Sequence, residues 1–264
     1  MADYTLLDLV PAFAEKEHGA GWGEALGGAT PLLNPSGAIT MTHVVLAVVA
    51  FIVITVLALV ARGKYANKET ALIPEEGITV RNLFEGLFDA LFNSMEGMMG
   101  KENAKRYFPL IGTLAVFILI CNLMGLIPGL TPPTQSLNTN IAMSLVVFVF
   151  YHVVGIREQG FGNYVKHFAG PVWWLAILIF PLEIISHCIR PLSLTLRLGG
   201  NMTGDHTVLG VFGQIASDLF GGLPLVLPIP FLFLGLLVSV IQTVVFVMLS
   251  SIYISMAVHH DDHH

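Results

Sequence analysis

PLSLTLRLGGNMTGDH, residues 191–206, places Arg197, Asn201, Asp205 and His206 within ten positions in a stretch otherwise apolar enough for lipid. Whether these groups decorate a soluble helix or form a polar stripe inside a membrane depends on the chain around them. Of the 264 residues, 11% are Asp, Glu, Lys or Arg and 55% are hydrophobic, and the mean hydropathy is +0.76. Soluble domains carry about 25% charged residues. A chain this poor in charge cannot clothe a globular surface in water, so it reads as an all-α polytopic membrane protein with lipid as its main solvent. A net charge of −6 leaves no basic face, which argues against nucleic acid as a partner. The first residues lack a basic stretch leading into an apolar core, so no cleavable signal peptide is expected.

A spanning helix needs about 20 apolar residues. Runs at 42–61, 108–128, 139–156, 171–222 and 229–257 approach or exceed that length. Residues 1–41 hold one basic residue, Lys16, whereas 62–106 hold seven. The positive-inside rule therefore makes 1–41 an external N-terminal segment and 62–106 cytoplasmic. Within the latter, Leu83, Phe84, Leu87, Phe88, Leu91, Phe92, Met95 and Met99 recur at helical spacing opposite Glu85, Asp89, Asn93 and Glu96. That pattern predicts an interfacial amphipathic helix over 80–100, whose acidic face suits a basic protein surface better than anionic lipid. The run 171–222 is too long for one upright crossing. At ~1.5 Å per residue it exceeds twice a ~30 Å hydrocarbon core, so it is two spans or one steeply tilted helix. With no repeat and no soluble segment, 1–264 is expected to form a single membrane domain.

On a wheel of ~100° per residue, Glu183, Ser186, Arg190, Ser193, Arg197, Asn201 and Gly204 fall within about 40° of Arg197. The stripe survives only if Pro191 and the Gly199–Gly200 pair leave the register intact. An arginine at mid-membrane costs roughly 2.5–3.5 kcal/mol on insertion scales and marks a functional site by default, the bland alternative being a side chain that snorkels to an interface. Arginine keeps its proton at any accessible pH, so Arg197 cannot relay protons. It can lower the pKa of a nearby carboxylate, by about 1–3 units at contact. The acid on its own stripe, Glu183, is about 21 Å along the helix, so the carboxylate it serves must come from elsewhere, most simply another subunit.

His206 lies about 180° from Arg197 and Asp205 about 80° away. Histidine passes protons near neutral pH, so His206 is weighed as a relay against a structural, hydrogen-bonded histidine. Asp205 is either its partner or a helix cap. His152 and His187 sit in apolar runs, yet no pair of helices offers two well-spaced histidines, which disfavours haem. Cys121 and Cys188 lack ligand spacing and read as buried free thiols. The terminal HHDDHH reads as a solvated tail rather than a metal site. No phosphate-cradling loop is present, so neither nucleotide chemistry nor any cofactor is expected of this chain.

PLSLTLRLGGNM with an ionisable residue nine positions after the arginine, IQTVVFVMLSSIYISMA in the last helix, NLMGLIP at 122–128 and the Asn138/Asn140 pair together resemble the subunit a family of F-type ATP synthases. The resemblance covers roughly residues 80–258. It implies a non-catalytic membrane stator beside a rotating c-ring, joined to a peripheral stalk subunit b and the other synthase subunits, and surrounded by lipid in a bacterial or organellar energy-coupling membrane. It also implies that 171–222 is one tilted crossing forming a hairpin with 229–257, which gives five crossings and a cytoplasmic C-terminus. Carried over by position, Arg197 is the arginine that separates two aqueous half-channels and meets a c-ring carboxylate. Asn201, Gln242, Glu183, Asn122 and Asn140 fall at polar channel positions, and His206 stands where members carry Glu or His. Seven residues before Gln242, where some members have a second histidine, this chain has Gly235, expected to leave space beside His206. The competing class is a secondary transporter whose Arg197 binds an anionic substrate; it calls for inverted repeats, and none is visible.

Overall fold

The computed structural model describes residues 42–65, 79–127, 130, 132–164, 176–220 and 229–258. The external segment expected over 1–41 and the HHDDHH tail lie outside them. Among the described residues there are six long α-helices: α1 (Thr42–Tyr65), α2 (Val80–Met99), α3 (Lys101–Met124), α4 (Leu137–Gln159), α5 (Ala176–Phe220) and α6 (Ile229–Val258). Among the described residues there is no strand. In lipid every backbone N–H and C=O must find a partner inside the chain, and helices achieve that segment by segment. Five of the six, all but α2, are long and apolar enough to cross a membrane. The chain is an all-α membrane protein.

Local signals explain where helices begin and end. Thr79 caps α2, its hydroxyl accepting from the Asn82 amide at 3.3 Å. Gly100 ends the helix at φ +78° while its N–H reaches the Glu96 carbonyl, a conformation that favours glycine. α3 starts well before its apolar run, because Lys101, Glu102, Lys105 and Arg106 are good helix formers that extend it, and it stops at Met124, ahead of Gly125. The overlong run is one continuous 45-residue helix, α5, despite Pro181 and Pro191 inside it. At ~1.5 Å per residue such a helix fits a ~30 Å core only with strong tilt.

The expectation of a single domain meets a finer division. The chain separates into two compact units, the first comprising the described parts of Met1–Ile54, Phe117–Asn140 and Leu198–Val240, the second Thr55–Val116, Ile141–Arg197 and the described part of Ile241–His264. Because the boundary falls inside each of the five long helices, no cut in the sequence could have revealed it.

The second unit has the larger core. Leu91, Met95 and Met99 of α2 pack with Tyr107, Ile111 and Ala115 of α3, Tyr151 and Val154 of α4, and Val247 and Ile254 of α6. Thus α2 buries Leu91, Met95 and Met99 of its apolar face in protein, although Leu83 stays 67% exposed. Its polar face is less acidic than the pattern suggested, since Arg81 holds Glu85 at 2.8 Å. One end of this unit is tied by Arg106 to Glu158 at 2.6 Å, by Gln159 donating to the Ala257 carbonyl at 2.9 Å, and by Ser255 donating to the Met98 carbonyl at 3.2 Å. In the first unit, Leu46 and Ala50 of α1 pack on Cys121 and Met124 of α3. Cys121 is buried as expected, but Cys188 is exposed, because it falls on an uncovered face of α5.

Candidate functional site

The unbroken α5 helix keeps the polar stripe in register. Its buried residues, His187, Leu194, Thr195, Leu198 and Met202, lie about 60–160° round from Arg197. The stripe therefore points away from the face by which α5 packs in its own chain. Arg197, Asn201 and Gly204 are exposed, and Glu183, Arg190 and Ser193 are partly so. Exposed apolar side chains flank them, including Leu192 and Leu196 at 53% and 54%, so this surface is apolar with a charged seam. Among the described residues Arg197 has no ion pair.

Toward the start of α5, within the second unit, the stripe meets a group of rings that periodicity did not reveal. Glu183 Oε1 lies 3.3 Å from His187 Nε2, and His187 Nδ1 lies 2.9 Å from the Tyr151 hydroxyl of α4. His152, next along α4, places its ring 5.3 Å from that of His187 and its Nδ1 2.8 Å from the Phe148 carbonyl. The Arg190 guanidinium stands 5.4 Å from the ring centroid of Tyr253 on α6. Tyr164, in the helical turn 161–164, reaches His152 at 6.0 Å; burial holds its phenol above the ordinary value. A Cβ on Gly155 would sit 2.5 Å from that Tyr164 ring, so glycine is needed there for close approach. Further along, Ser144 and Thr195 share a 2.6 Å hydroxyl hydrogen bond, and Thr195 also donates to the Pro191 carbonyl at 2.8 Å.

The expected channel amides have a different setting. In the first unit, the Thr134 hydroxyl donates to Asn122 Oδ1 at 2.7 Å, and Asn140 Nδ2 donates to the Thr134 carbonyl at 2.7 Å. All three side chains are buried, and Asn140 Oδ1 alone among their oxygens has no partner within the described residues. Thr134 sits in a 3-10 turn, Pro133–Gln135, between α3 and α4, and this turn brings the two asparagines onto one residue. A Cβ on Gly199 would lie 3.0 Å from Asn140 Nδ2, so α5 approaches the amide closely only where it lacks a side chain.

Of the remaining expected residues, Gln242 is buried and Asp205 half-buried. His206 belongs to α5, but its side chain lies outside the described residues, and so does its expected approach to Gly235. What does pack on Gly235 is Leu126: a Cβ there would be 2.8 Å from Leu126 Cδ2. Tyr151, His152, His187, Thr134 and Ser144 were missed as site residues, although the four-residue interval from Glu183 to His187 in the sequence was a usable signal.

A membrane-crossing helix of this length, with a charged seam on its uncovered face, defines a polytopic all-α membrane protein. The chain belongs to the ATP synthase A chain family, which it matches over residues 43–255. It is 44% identical over 213 residues to the ATP synthase subunit a of Sorangium cellulosum, covering 81% of this chain and 80% of that one. To the ATP synthase subunit a 1 of Syntrophotalea carbinolica it is 47% identical over 215 residues, with 81% and 85% covered. The ATP synthase subunit a of Geobacter sulfurreducens is 42% identical over 222 residues, with 84% and 88% covered.

Proposed function

We propose that this chain is the proton-translocating stator subunit of a rotary ATP synthase, supplying two half-channels and an arginine that discharges a carboxylate of the c-ring. The observation that carries the reading is Arg197, exposed on a spanning helix, turned from the chain's own core and without a carboxylate partner among the described residues. A permanent charge in lipid needs a counter-ion, and here that ion belongs to another subunit. Membership of the ATP synthase A chain family supports the same conclusion.

The chemistry follows from what arginine can and cannot do. A protonated rotor carboxyl that comes beside Arg197 has its pKa lowered by about 1–3 units, so it releases its proton into the outlet and pairs with the guanidinium as a carboxylate. Arg197 itself keeps its protons and so bars a direct leak between the half-channels. Onward rotation carries the carboxylate to the inlet, where a proton arriving past His206 neutralises it. Glu183 belongs to the outlet stretch of α5. Asn201, Asp205 and Gln242 line the path, and Asn122 and Asn140, fixed by Thr134, hold polar lining in place. The chain itself catalyses no covalent step; nucleotide chemistry falls to partner subunits. Its partners are the c-ring, the peripheral stalk subunit b, the other synthase subunits and lipid, in a bacterial or organellar energy-coupling inner membrane. The N-terminus is outside and the C-terminus cytoplasmic. α5 and α6 form the tilted hairpin against the c-ring, and α2 lies at the cytoplasmic interface.

The test is Arg197→Ala in the intact complex reconstituted into vesicles. The complex should assemble, yet coupled ATP synthesis and ATP-driven proton pumping should both be lost. Normal coupled synthesis by this variant would sink the reading.

A further inference from the structure

We propose that His187 carries the proton together with Glu183, the two forming a histidine–carboxylate relay in the outlet whose imidazole is steadied by Tyr151. The inference rests on the stator reading and adds to it a group that the polar stripe does not contain. Glu183 and His187 are 3.3 Å apart, with the carboxylate side chain 31% exposed at the edge and the imidazole 11% exposed behind it. A proton handed from Glu183 to His187 is therefore moved inward from the surface, and one handed back is moved outward.

The partner of the other ring nitrogen decides between relay and scaffold. A backbone carbonyl only accepts, so the Phe148 carbonyl beside His152 Nδ1 pins a hydrogen on that nitrogen and fixes one tautomer. A tyrosine hydroxyl donates or accepts. Tyr151, 2.9 Å from His187 Nδ1, therefore satisfies the ring in each state the relay visits. When the neutral ring carries its hydrogen on Nε2, that N–H faces the Glu183 carboxylate and the Tyr151 hydroxyl donates to Nδ1. When the hydrogen is on Nδ1, it donates to the Tyr151 oxygen and leaves Nε2 free to accept. In the loading step the Glu183 O–H bond breaks and an Nε2–H bond forms, giving a carboxylate beside an imidazolium; the reverse step returns the proton to Glu183, whose exposed oxygen passes it to water. No other reactant is consumed.

Groups from several elements surround the ring. On α5 the imidazolium meets one opposite charge, Glu183, and one like charge, Arg190; on α4 it meets Tyr151 and His152. The phenols of Tyr253 on α6 and of Tyr164 in the turn 161–164 stand behind Tyr151 and His152.

The experiment measures passive proton conduction through vesicles bearing the intact complex, from about pH 3 to 8, a window that contains and extends below the ordinary titration of histidine. Wild type should show a step in rate across that range. His187→Gln keeps a hydrogen-bonding side chain but cannot hold the proton. It should abolish the step and slow conduction near neutrality by about tenfold or more. Tyr151→Phe should keep the step but displace it along the pH axis, because Nδ1 loses its adaptable partner. This second variant removes one oxygen and decides the matter if His187→Gln fails to assemble. Profiles superimposable on wild type, for either variant that assembles, overturn the relay. Coupled synthesis by Arg197→Ala, measured beside them, separates the two claims: if it too is normal, the stator reading has failed, and if Arg197→Ala alone loses coupling, only the relay has.

Discussion

Two polar regions of this molecule contain buried or membrane-level side chains and are built on opposite plans. At Asn122, Thr134 and Asn140 the groups are neutral amides and a hydroxyl, they bond one another at 2.7 Å, and one oxygen, Asn140 Oδ1, is left over. Along the α5 stripe the charged groups Glu183, Arg190 and Arg197 are partly or fully exposed, and Arg197 has no ion pair among the described residues. A neutral network that satisfies itself inside the chain contributes about 1 kcal/mol per bond to folding and is costly to break halfway. A charge that the chain leaves unsatisfied contributes nothing to folding and is explained only by something outside. The difference teaches that in lipid the useful question about a polar residue is who satisfies it, more than how polar it is.

The comparison can be broken from either side. His206→Ala, on the titratable plan, should slow proton transport severely while the complex still assembles; His206→Glu should keep part of the rate, because a carboxylate also shuttles protons. Proton flux measured in vesicles decides, and wild-type flux in His206→Ala would move the inlet elsewhere. Asn122→Leu, on the self-satisfied plan, should do the reverse. It leaves the Thr134 hydroxyl buried and unpaired, a cost of about 1–3 kcal/mol, read as a lower yield and lower thermal stability of the assembled complex. Coupling per assembled complex should change little. If Asn122→Leu assembles normally but loses flux, the amides move protons after all and the contrast collapses.

A smaller effect is expected at Gly235. Any side chain there meets Leu126, 2.8 Å from the first added carbon, and overpacking of this kind costs typically about 1–3 kcal/mol unless the neighbour gives way. Because the Leu126 contact is with the end of a flexible side chain, Gly235→Leu should fall at the lower end and impair proton flux partially. Restoration of flux by a second change, Leu126→Ala, would confirm that the loss was one of space.

How far the sequence could be read follows the same line. Features that repeat along one helix were legible: the five long apolar helices, the α5 stripe, and the apolar face of α2. Features made by two elements meeting were not. His152 and His187 looked unpaired because they stand on different helices, and only the packing of α4 on α5 sets their rings 5.3 Å apart. The node at Thr134 depends on a 3-10 turn closing over intervals of twelve and six residues, which no helical or strand period describes. Cys188 was misjudged because an apolar run in a membrane protein does not say which face meets protein and which meets lipid. The helical wheel singled out Arg197 and His206 and the family resemblance added Gln242, but the exposure of Arg197 and the burial of Gln242 came from the fold.

The least effect should come from Arg106, and it sharpens the contrast by holding exposure nearly fixed. Arg106 resembles Arg197 in being an exposed arginine on a membrane-crossing helix. It differs in having a partner, Glu158, at 2.6 Å, and in standing in the charged first turns of α3 beside Lys101, Glu102 and Lys105, where water or lipid headgroups can solvate it. An ion pair in such a place gains little, because solvent screens the attraction and both long side chains lose freedom to hold the geometry. If either partner is removed, the other turns to water without a desolvation debt. Arg106→Gln should therefore leave the melting temperature of the complex and its coupled synthesis close to wild type, whereas Arg197→Ala should abolish synthesis. A large loss in Arg106→Gln would mean that this end of the second unit depends on the pair as it does on the Gln159 and Ser255 ties. Exposure alone would then be no guide to which arginines the motor uses.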